Sequence, residues 1–265
     1  MTSLPSVDAR RAVSRLLADG AGRFLVLARR VLGTLGVEAV HDLRVLTRRL
    51  RAWAWLGQRL AARGALEGLR RDLRRVGRKL GARRMLDVAC VDAERHEIDA
   101  SSLSERREAT GRAVRAALGA GACAAIVSSI RHAAGEVGSA DVDRLAKGLR
   151  RRARRLACAA RRARKGNAQM HALRIEAKKA RYAIEALGWN GRPLAGLQRR
   201  IGKAHDLAVF QALLGGTAAV ARLERRAWAS ASKGLPAAVR AGVAGLIRIA
   251  RGRGRVRQSA PQKDA

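Results

Sequence analysis

The apolar residues of this chain recur with the period of an α-helix, while the alternation typical of β-strands is nearly absent. Glycines and short polar clusters separate the periodic segments from one another. The pattern therefore predicts an all-α protein. The predicted helices cover about 7–35, 38–63, 66–80 and 83–98, then 105 to the glycines at 119 and 121, 122–134, 149–165, 168–188, 194–203, 205–214, 217–232 and 236–250.

Several boundaries follow from local chemistry. Ser104 is the expected N-cap of the helix that begins near Glu105, since a serine hydroxyl accepts hydrogen bonds from the first free backbone N–H groups. Gly81 is expected to interrupt the third and fourth helices. The segment GEVGSAD at 135–141 is the best candidate for a linker, and the tail 251–265, which lacks apolar periodicity, is predicted to be disordered and basic.

One segment of the chain occurs twice. HDLRVLTRRLR at 41–51 returns as HALRIEAKKAR at 171–181, an offset of 171 − 41 = 130 residues. The matched pairs are His41/His171, Leu43/Leu173, Arg44/Arg174, Arg48/Lys178, Arg49/Lys179 and Arg51/Arg181. A repeat of about half the chain length predicts two similar halves that fold together, at about 8–134 and 141–250.

Each copy of the repeat places its cations along one stripe of a helix. At about 100° per residue, the side chains of His41, Arg44, Arg48 and Arg51 fall within an arc of about 80°. The second copy repeats this arc with His171, Arg174, Lys178 and Arg181, and Glu185 lies four residues after Arg181, where it is placed to orient that side chain. The opposite sides are apolar and predicted to be buried: Leu43, Leu46 and Leu50 in the first copy, and Leu173, Ala180 and Ile184 in the second.

The net charge of the chain indicates what these cationic stripes bind. The formal net charge is +35 with a pI near 11.9, and self-repulsion of that size destabilises a compact state unless a counter-anion is present. Only 21 residues are acidic, and no stripe of carboxylates faces the cations in the sequence. A solvated basic face would explain one such helix, but two copies in register favour binding of an external polyanion. Successive groups along the stripe rise by about 4.5–6 Å, comparable to phosphates along an extended chain.

A second, looser echo lies downstream of each copy. KLGARRMLDV at 79–88 aligns with RIGKAHDLAV at 200–209, an offset of 202 − 81 = 121. Gly81 and Gly202 match, and a glycine at such a place either lets two helices approach closely or starts a new helix. Arg84 pairs with His205, whereas Met85 stands where the second copy has Asp206.

Through these two pairs of segments the chain resembles the CHAD domain, the conserved histidine α-helical domain, over about residues 8–250. The resemblance implies a single domain of two pseudo-symmetric helical bundles around a basic central cleft or channel, which binds inorganic polyphosphate without catalysis and without a cofactor. Met85 and Ala180 depart from the family pattern, in which an acid and a leucine are usual. The polyphosphate-binding residues that the resemblance implies are His41, Arg44, Arg48, Arg49, Arg51, His171, Arg174, Lys178, Lys179, Arg181 and Tyr182, with Lys79, Arg84, Lys203 and His205 as lesser candidates.

Enzymatic functions are less favoured by the sequence. His-Asp dipeptides, which are typical of metal-dependent phosphohydrolases, occur at 41–42 and 205–206. However, further metal ligands at suitable spacing are missing, and the arginines around His41 would repel a divalent cation. Phosphotransfer by a histidine is not accompanied by a nucleotide-binding glycine loop. We therefore expect no catalysis and no metal, with the histidines donating hydrogen bonds to phosphate oxygens.

The main alternative is a sequence-nonspecific nucleic-acid-binding protein, since a charge of +35 alone gives salt-dependent affinity for any phosphate backbone. Single-strand binders usually stack bases on aromatic side chains, and this chain has seven aromatic residues in all. The basic tail 251–265 is expected to bind nucleic acid loosely at most.

The compartment is inferred from the cysteines and from the apolar runs. Cys90, Cys123 and Cys158 have no paired spacing and read as small core residues in a reducing environment. No signal peptide or membrane span is recognised in the sequence. We expect a cytoplasmic protein, with polyphosphate granules as a place where it would act.

Overall fold

The computed structural model describes residues 6–95, 99, 101–138, 142–163, 167–214, 218–233 and 235–252. Within these residues the regular structure is helical and no strand occurs, which confirms the all-α prediction. The helices are α1 (Ser6–Thr34), α2 (Val37–Gly57), α3 (Glu67–Arg95), α4 (Ser101–Leu118), α5 (Ala120–Glu136), α6 (Val142–Arg162), α7 (Asn167–Ala186), α8 (Arg192–Leu214), α9 (Ala218–Lys233) and α10 (Leu235–Ala250).

Two of the predicted breaks do not exist. Gly81 lies inside the continuous helix α3. α8 runs without interruption through the break predicted between the segments 194–203 and 205–214, and it includes Gly202. A single glycine costs an exposed helix only about 1 kcal/mol, so neighbouring packing easily keeps the helix intact. Both glycines serve instead as points of close approach, described below.

Two helix ends also differ from the prediction. α2 ends at Gly57 rather than near residue 63, and the turn that follows includes Gly64 at a φ of +86°, a value that favours glycine. α4 begins at Ser101 because the Asp99 carboxylate accepts hydrogen bonds from the backbone N–H and the hydroxyl of Ser101 at 2.9 and 2.8 Å. Ser104 therefore lies within the helix and is not its N-cap.

The border between the halves is partly described. α5 ends at Glu136, and α6 already begins at Val142, seven residues before the predicted start at 149. Leu145 and Ala146 are buried, which explains why this stretch joins the helix. Residues 139–141 of the predicted linker and residues 253–265 of the predicted tail lie outside the described residues.

The two repeated helices occupy the middle of the molecule. α2 packs against α1 and α3, α7 packs against α6 and α8, and the first group meets the second through contacts of α2 with α7 and of α3 with α8. The apolar sides of the repeated helices are buried as predicted: Leu43, Leu46, Leu50, Leu173, Ala180 and Ile184 are each at most 2% exposed. One continuous hydrophobic core includes all of these side chains, so the cationic sides of α2 and α7 are held by a shared framework.

In the described part of the chain, no single helix is both long and apolar enough to cross a membrane. Ser101–Leu118 and Gly121–Glu136, taken together, meet the length and composition requirements for a membrane span, but they are bent by 56° at the break between them. The three cysteines are free; Cys123 is buried, and Cys90 and Cys158 are half-buried.

Candidate functional site

The cationic stripes of α2 and α7 meet where the two helices pack together. Arg44 and Arg48 of α2 interact electrostatically with Arg174 and Lys178 of α7. All four side chains are half-buried. We call this group the central cluster. It brings together cations that are about 130 residues apart in the sequence, at the same positions of the two copies.

In each copy of the repeat, the first arginine packs against a glycine of the next long helix: Arg44 against Gly81 and Arg174 against Gly202. A Cβ atom added at Gly81 of α3 would overlap the Arg44 guanidinium, and one added at Gly202 of α8 would lie 3.3 Å from Arg174 Nη2. Arg44 Nη1 also donates a long hydrogen bond of 3.5 Å to the Gly77 carbonyl. Gly81 and Gly202, the matched glycines of the downstream segments, therefore provide the space in which Arg44 and Arg174 of the repeated helices lie.

Burial and mutual repulsion lower the pKa values of these basic side chains. Burial, followed by Arg48 and Arg174, lowers the pKa of Arg44 to about 9. Burial, followed by Arg48, Arg174 and Arg44, lowers the pKa of Lys178 to about 6. In the absence of an anion, the Lys178 amine is therefore largely neutral at neutral pH.

Two further side chains stabilise the cluster from within. Tyr182 is buried, and its side chain is hydrogen-bonded to the half-buried guanidinium of Arg48. The Asp206 carboxylate attracts both Arg174 and Lys178, although burial raises the pKa of Asp206 above its ordinary value. Asp206 is the functional group that the sequence reasoning missed. The sequence placed Asp206 in the second echo, opposite Met85, and in a His-Asp dipeptide, but did not include it among the site residues; the structure places it as an internal counter-charge.

The histidines of the second half lie beside the cluster. The rings of His171 and His205 are 4.3 Å apart between centroids and tilted by 42°. Burial, followed by repulsion from His171 and Arg174, lowers the pKa of His205 to about 4. Burial is also the main reason that the pKa values of His171 and His41 are lowered. The imidazoles of the free protein are thus neutral at neutral pH, and each carries one N–H donor.

Arg51 and Arg84 extend the cationic region towards α3. Partial burial of its guanidinium, followed by repulsion from Arg74, Arg48, Arg70 and Arg78, lowers the pKa of Arg51; all of these arginines except Arg48 lie on α3. Arg84 acts on both Arg44 and His41, and its Nη1 reaches the Val37 carbonyl at 3.5 Å.

Other predicted site residues lie apart from the central cluster or are bound to local partners. Arg181 donates from Nε to Glu185 Oε1 at 2.6 Å, as predicted from their spacing, and Lys179 Nζ lies 2.6 Å from Glu176 Oε1. Lys79 and Lys203 are exposed. Lys79 lies two residues, about 200°, from Gly81 and so projects away from Arg44.

Arg49 also lies off the stripe. It is half-buried and about 100° around the helix from Arg48. Its counterpart in the second copy, Lys179, is turned from the stripe in the same way and is bound to Glu176.

The chemistry of the region is that of cationic donors. Among the described residues, no group of three or more histidine, cysteine or acidic side chains is placed to hold a metal ion. Guanidinium and ammonium groups that converge from two helices match the charge and the hydrogen-bonding capacity of phosphate oxygens.

Comparison with known proteins identifies the family. The family model of the CHAD domain matches residues 15–215. The chain belongs to the CHAD domain family. The matched residues include both repeated helices and both glycine segments.

Solved structures show the same fold. The crystal structure of the CHAD domain from the plant Ricinus communis is similar to this CHAD domain with a TM-score of 0.52 and 22% identity, over 88% of this chain and 91% of the other. PptA from Streptomyces chartreusis is similar with a TM-score of 0.58 and 19% identity, over 89% of this chain and 98% of the other. No curated protein matches the chain significantly.

Proposed function

We propose that this CHAD domain binds linear inorganic polyphosphate, without catalysis, through the central cluster and the groups around it. The observation that carries the proposal is the convergence of Arg44, Arg48, Arg174 and Lys178, four half-buried basic side chains from two helices, on one region. Asp206 supplies a single negative charge there, which leaves a net positive charge to be neutralised by a ligand. Family membership supports the same ligand.

The arrangement favours a thin polyanion over a nucleic-acid duplex. α2 and α7 are in direct contact, and the four cations lie partly beneath the surface. A chain of bare phosphates has no bases or sugars that must be accommodated beside its charges, so several of its oxygens can reach half-buried donors at once. Arginine forks bind adjacent oxygens in pairs, which a chain with charges on every unit satisfies repeatedly.

We propose binding of polyphosphate without catalysis because the central cluster contributes hydrogen-bond donors and positive charge. The neutral imidazoles of His171 and His205 add N–H donors beside it. In the cell, we propose that this binding places the protein in the cytoplasm at polyphosphate granules.

Calorimetry with long-chain polyphosphate at about physiological salt tests the proposal. The double variant Arg48→Gln/Lys178→Gln should lose at least about tenfold in affinity, because each charge-assisted contact contributes about 1.5–3 kcal/mol. The matched control Lys147→Gln/Arg150→Gln removes the same formal charge from exposed positions of α6 and should stay within about twofold of the parent. Equal losses in both variants would show that only net charge matters.

The nucleic-acid alternative is tested in the same experiment with double-stranded DNA as ligand. Its supporting observation is the net charge of +35. If DNA binds as tightly as polyphosphate, and if truncation after Gly252 abolishes binding while Arg48→Gln/Lys178→Gln does not, the chain is a nonspecific nucleic-acid binder.

A further inference from the structure

The cationic stripe of α2 does not end at Arg51. Trp55 follows Arg48 by seven residues, two helical turns, so it lies on the same face about 10.5 Å further along the axis. Two guanidiniums stack on its indole ring: Arg59 Cζ is 3.8 Å and Arg152 Cζ is 4.0 Å from the ring centroid. Stacking on an aromatic face holds a guanidinium in place without using its N–H donors.

Arg152 has unused hydrogen-bonding capacity. Its side chain is only 7% exposed, and neither Nε nor Nη1 has a hydrogen-bond partner among the described residues. Glu176 Oε2 forms an ion pair with Arg152 Nη1 at 3.8 Å, beyond hydrogen-bonding distance, and itself has no hydrogen-bond partner among the described residues, while Glu176 Oε1 lies 2.6 Å from Lys179 Nζ. Buried guanidinium donors normally find acceptors, and Nη1 at least faces Glu176, so it is Nε that points to an acceptor that the protein itself does not supply.

Arg59 is held beside Arg152 by the backbone. Arg59 Nη1 donates to the Trp55 carbonyl at 2.7 Å, and a Cβ added at Gly148 of α6 would overlap the Arg59 side chain. Gly148 therefore provides room for Arg59, as Gly81 does for Arg44. Burial, followed by the neighbouring charge of Arg152, lowers the pKa of Arg59 to about 10.

Arg70 connects this region to the central cluster. Its guanidinium donates to the Gln58 side chain, and its charge repels Arg51 as well as Arg59 and Arg152. The cations thus continue from Arg48 through Arg51 and Arg70 to Trp55 and its two arginines.

The second half lacks this continuation. The residue that corresponds to Trp55 at the repeat offset of 130 is Glu185, which accepts from Arg181 at 2.6 Å. A carboxylate ends the cationic stripe of α7 at the place where α2 continues it.

We propose that Trp55, Arg59, Arg70 and Arg152, the Trp55 cluster, form a second phosphate subsite that takes further phosphates of the same polyphosphate chain. This inference rests on the proposed function and deepens it, because it makes the binding footprint longer on the α2 side only. Phosphate oxygens accept hydrogen bonds from Arg152 Nε, while stacking on Trp55 holds both guanidiniums in position. Long chains occupy both subsites, whereas tripolyphosphate fills the central cluster alone.

The test compares long-chain polyphosphate with tripolyphosphate by calorimetry. Arg59→Gln/Arg152→Gln should lower affinity for the long chain by at least about tenfold and leave that for tripolyphosphate within about twofold. The control Arg150→Gln/Arg154→Gln removes equal charge from exposed positions about 200° around α6 from Arg152, and it should change neither ligand beyond about twofold. Equal effects of Arg59→Gln/Arg152→Gln on both ligands, or none on either, would overturn the subsite.

A second variant keeps every charge. Gly148→Ala displaces Arg59 and replaces a helical glycine by a better helix former, so the protein should fold and still lose affinity for the long chain selectively. Gly135→Ala on α5, with open space around it, is its control. A long-chain affinity unchanged in Gly148→Ala contradicts the subsite.

Different outcomes test the proposed function and the second subsite. If the parent protein binds neither ligand, the proposed function is wrong. If it binds both and responds to Arg48→Gln/Lys178→Gln but not to the Trp55-cluster variants, only the second subsite is wrong.

Discussion

The Arg44 guanidinium lies directly over Gly81, with no room for a side chain between the two helices that carry them. Arg174 and Gly202 form the corresponding pair in the second half, at a distance of 3.3 Å between Nη2 and an added Cβ. The same arginine-on-glycine contact occurs in both copies, and its effect is to position a cation rather than to bend a helix.

Gly81→Ala should therefore separate binding from stability. Alanine is favoured over glycine within a helix by up to about 1 kcal/mol, and the atom it meets is the mobile end of an arginine. We expect an unchanged or raised melting temperature together with a several-fold loss of polyphosphate affinity, measured by thermal unfolding and calorimetry.

The size of the effect should follow the space available. Gly202→Ala should weaken binding less than Gly81→Ala, since Arg174 needs to move only slightly. Gly68→Ala on α3 and Gly196→Ala on α8 meet nothing within 4 Å and should leave affinity unchanged. A marked loss of stability in Gly81→Ala would instead assign the glycine to helix packing.

Asp206 competes with the ligand for the central cluster. It attracts Arg174 and Lys178 in the free protein, and a bound polyanion would have to replace that attraction. Asp206→Asn should therefore lower the melting temperature at low salt and raise polyphosphate affinity several-fold. The exposed Asp19→Asn is the control, and reduced affinity in Asp206→Asn would show that the carboxylate orients the cations rather than competing for them.

The repeated helices were predictable because their information is local. Leucines at helical spacing oppose cations at the same spacing, so the buried and cationic sides of α2 and α7 follow from periodicity alone. The glycines were ambiguous for the opposite reason. Whether Gly81 breaks a helix or admits a neighbour depends on Arg44, which lies 37 residues away in the sequence.

Two parts of the cationic region required three-dimensional contacts to be seen. Asp206 acts on cations of α7, and nothing within its own segment reveals that neighbourhood. Trp55 was already in register with the stripe, but the sequence gives no sign that Arg152, from another helix, would stack on it. An aromatic residue close to the buried Trp53 is more simply interpreted as core.

A buried ion network in the first half should contribute to stability rather than to binding. Asp87 is fully buried, and its Oδ1 accepts from Arg83 Nε at 2.8 Å and from Arg107 Nε at 2.9 Å. Arg83 is also buried, so Asp87→Asn leaves a cation without compensation and should cost about 3–5 kcal/mol of unfolding free energy. Denaturant unfolding measures this change.

The control for Asp87→Asn is the partly exposed ion pair of Asp72 with Arg75 at 3.3 Å. Asp72→Asn should cost less than about 1 kcal/mol. Under conditions where Asp87→Asn remains folded, its polyphosphate affinity should match that of the parent. A selective loss of affinity would place Arg83 or Arg107 in the binding region.

Polyphosphate binding should be accompanied by proton uptake at Lys178. The pKa of this amine is about 6 in the free protein because burial and three arginines oppose its charge, whereas an unperturbed lysine titrates near 10.4. A polyanion reverses that balance, so the bound amine is charged at about pH 7.5 where the free amine is neutral. Calorimetry in buffers of different ionisation enthalpy should detect uptake of roughly one proton, and affinity should fall as pH rises above 6 towards the pKa of the bound state.

The same shift predicts the pH dependence of the free protein's stability. The unfolded chain binds a proton at Lys178 up to about pH 10.4, while the folded chain releases it above about pH 6, so between these values the contribution of Lys178 makes stability rise with pH. Lys178→Met should remove both this contribution and the proton uptake, while Lys179→Met, which alters an exposed lysine paired with Glu176, should remove neither. Proton uptake that persists in Lys178→Met would assign the titration to another group, such as His205, whose pKa of about 4 a polyanion also raises.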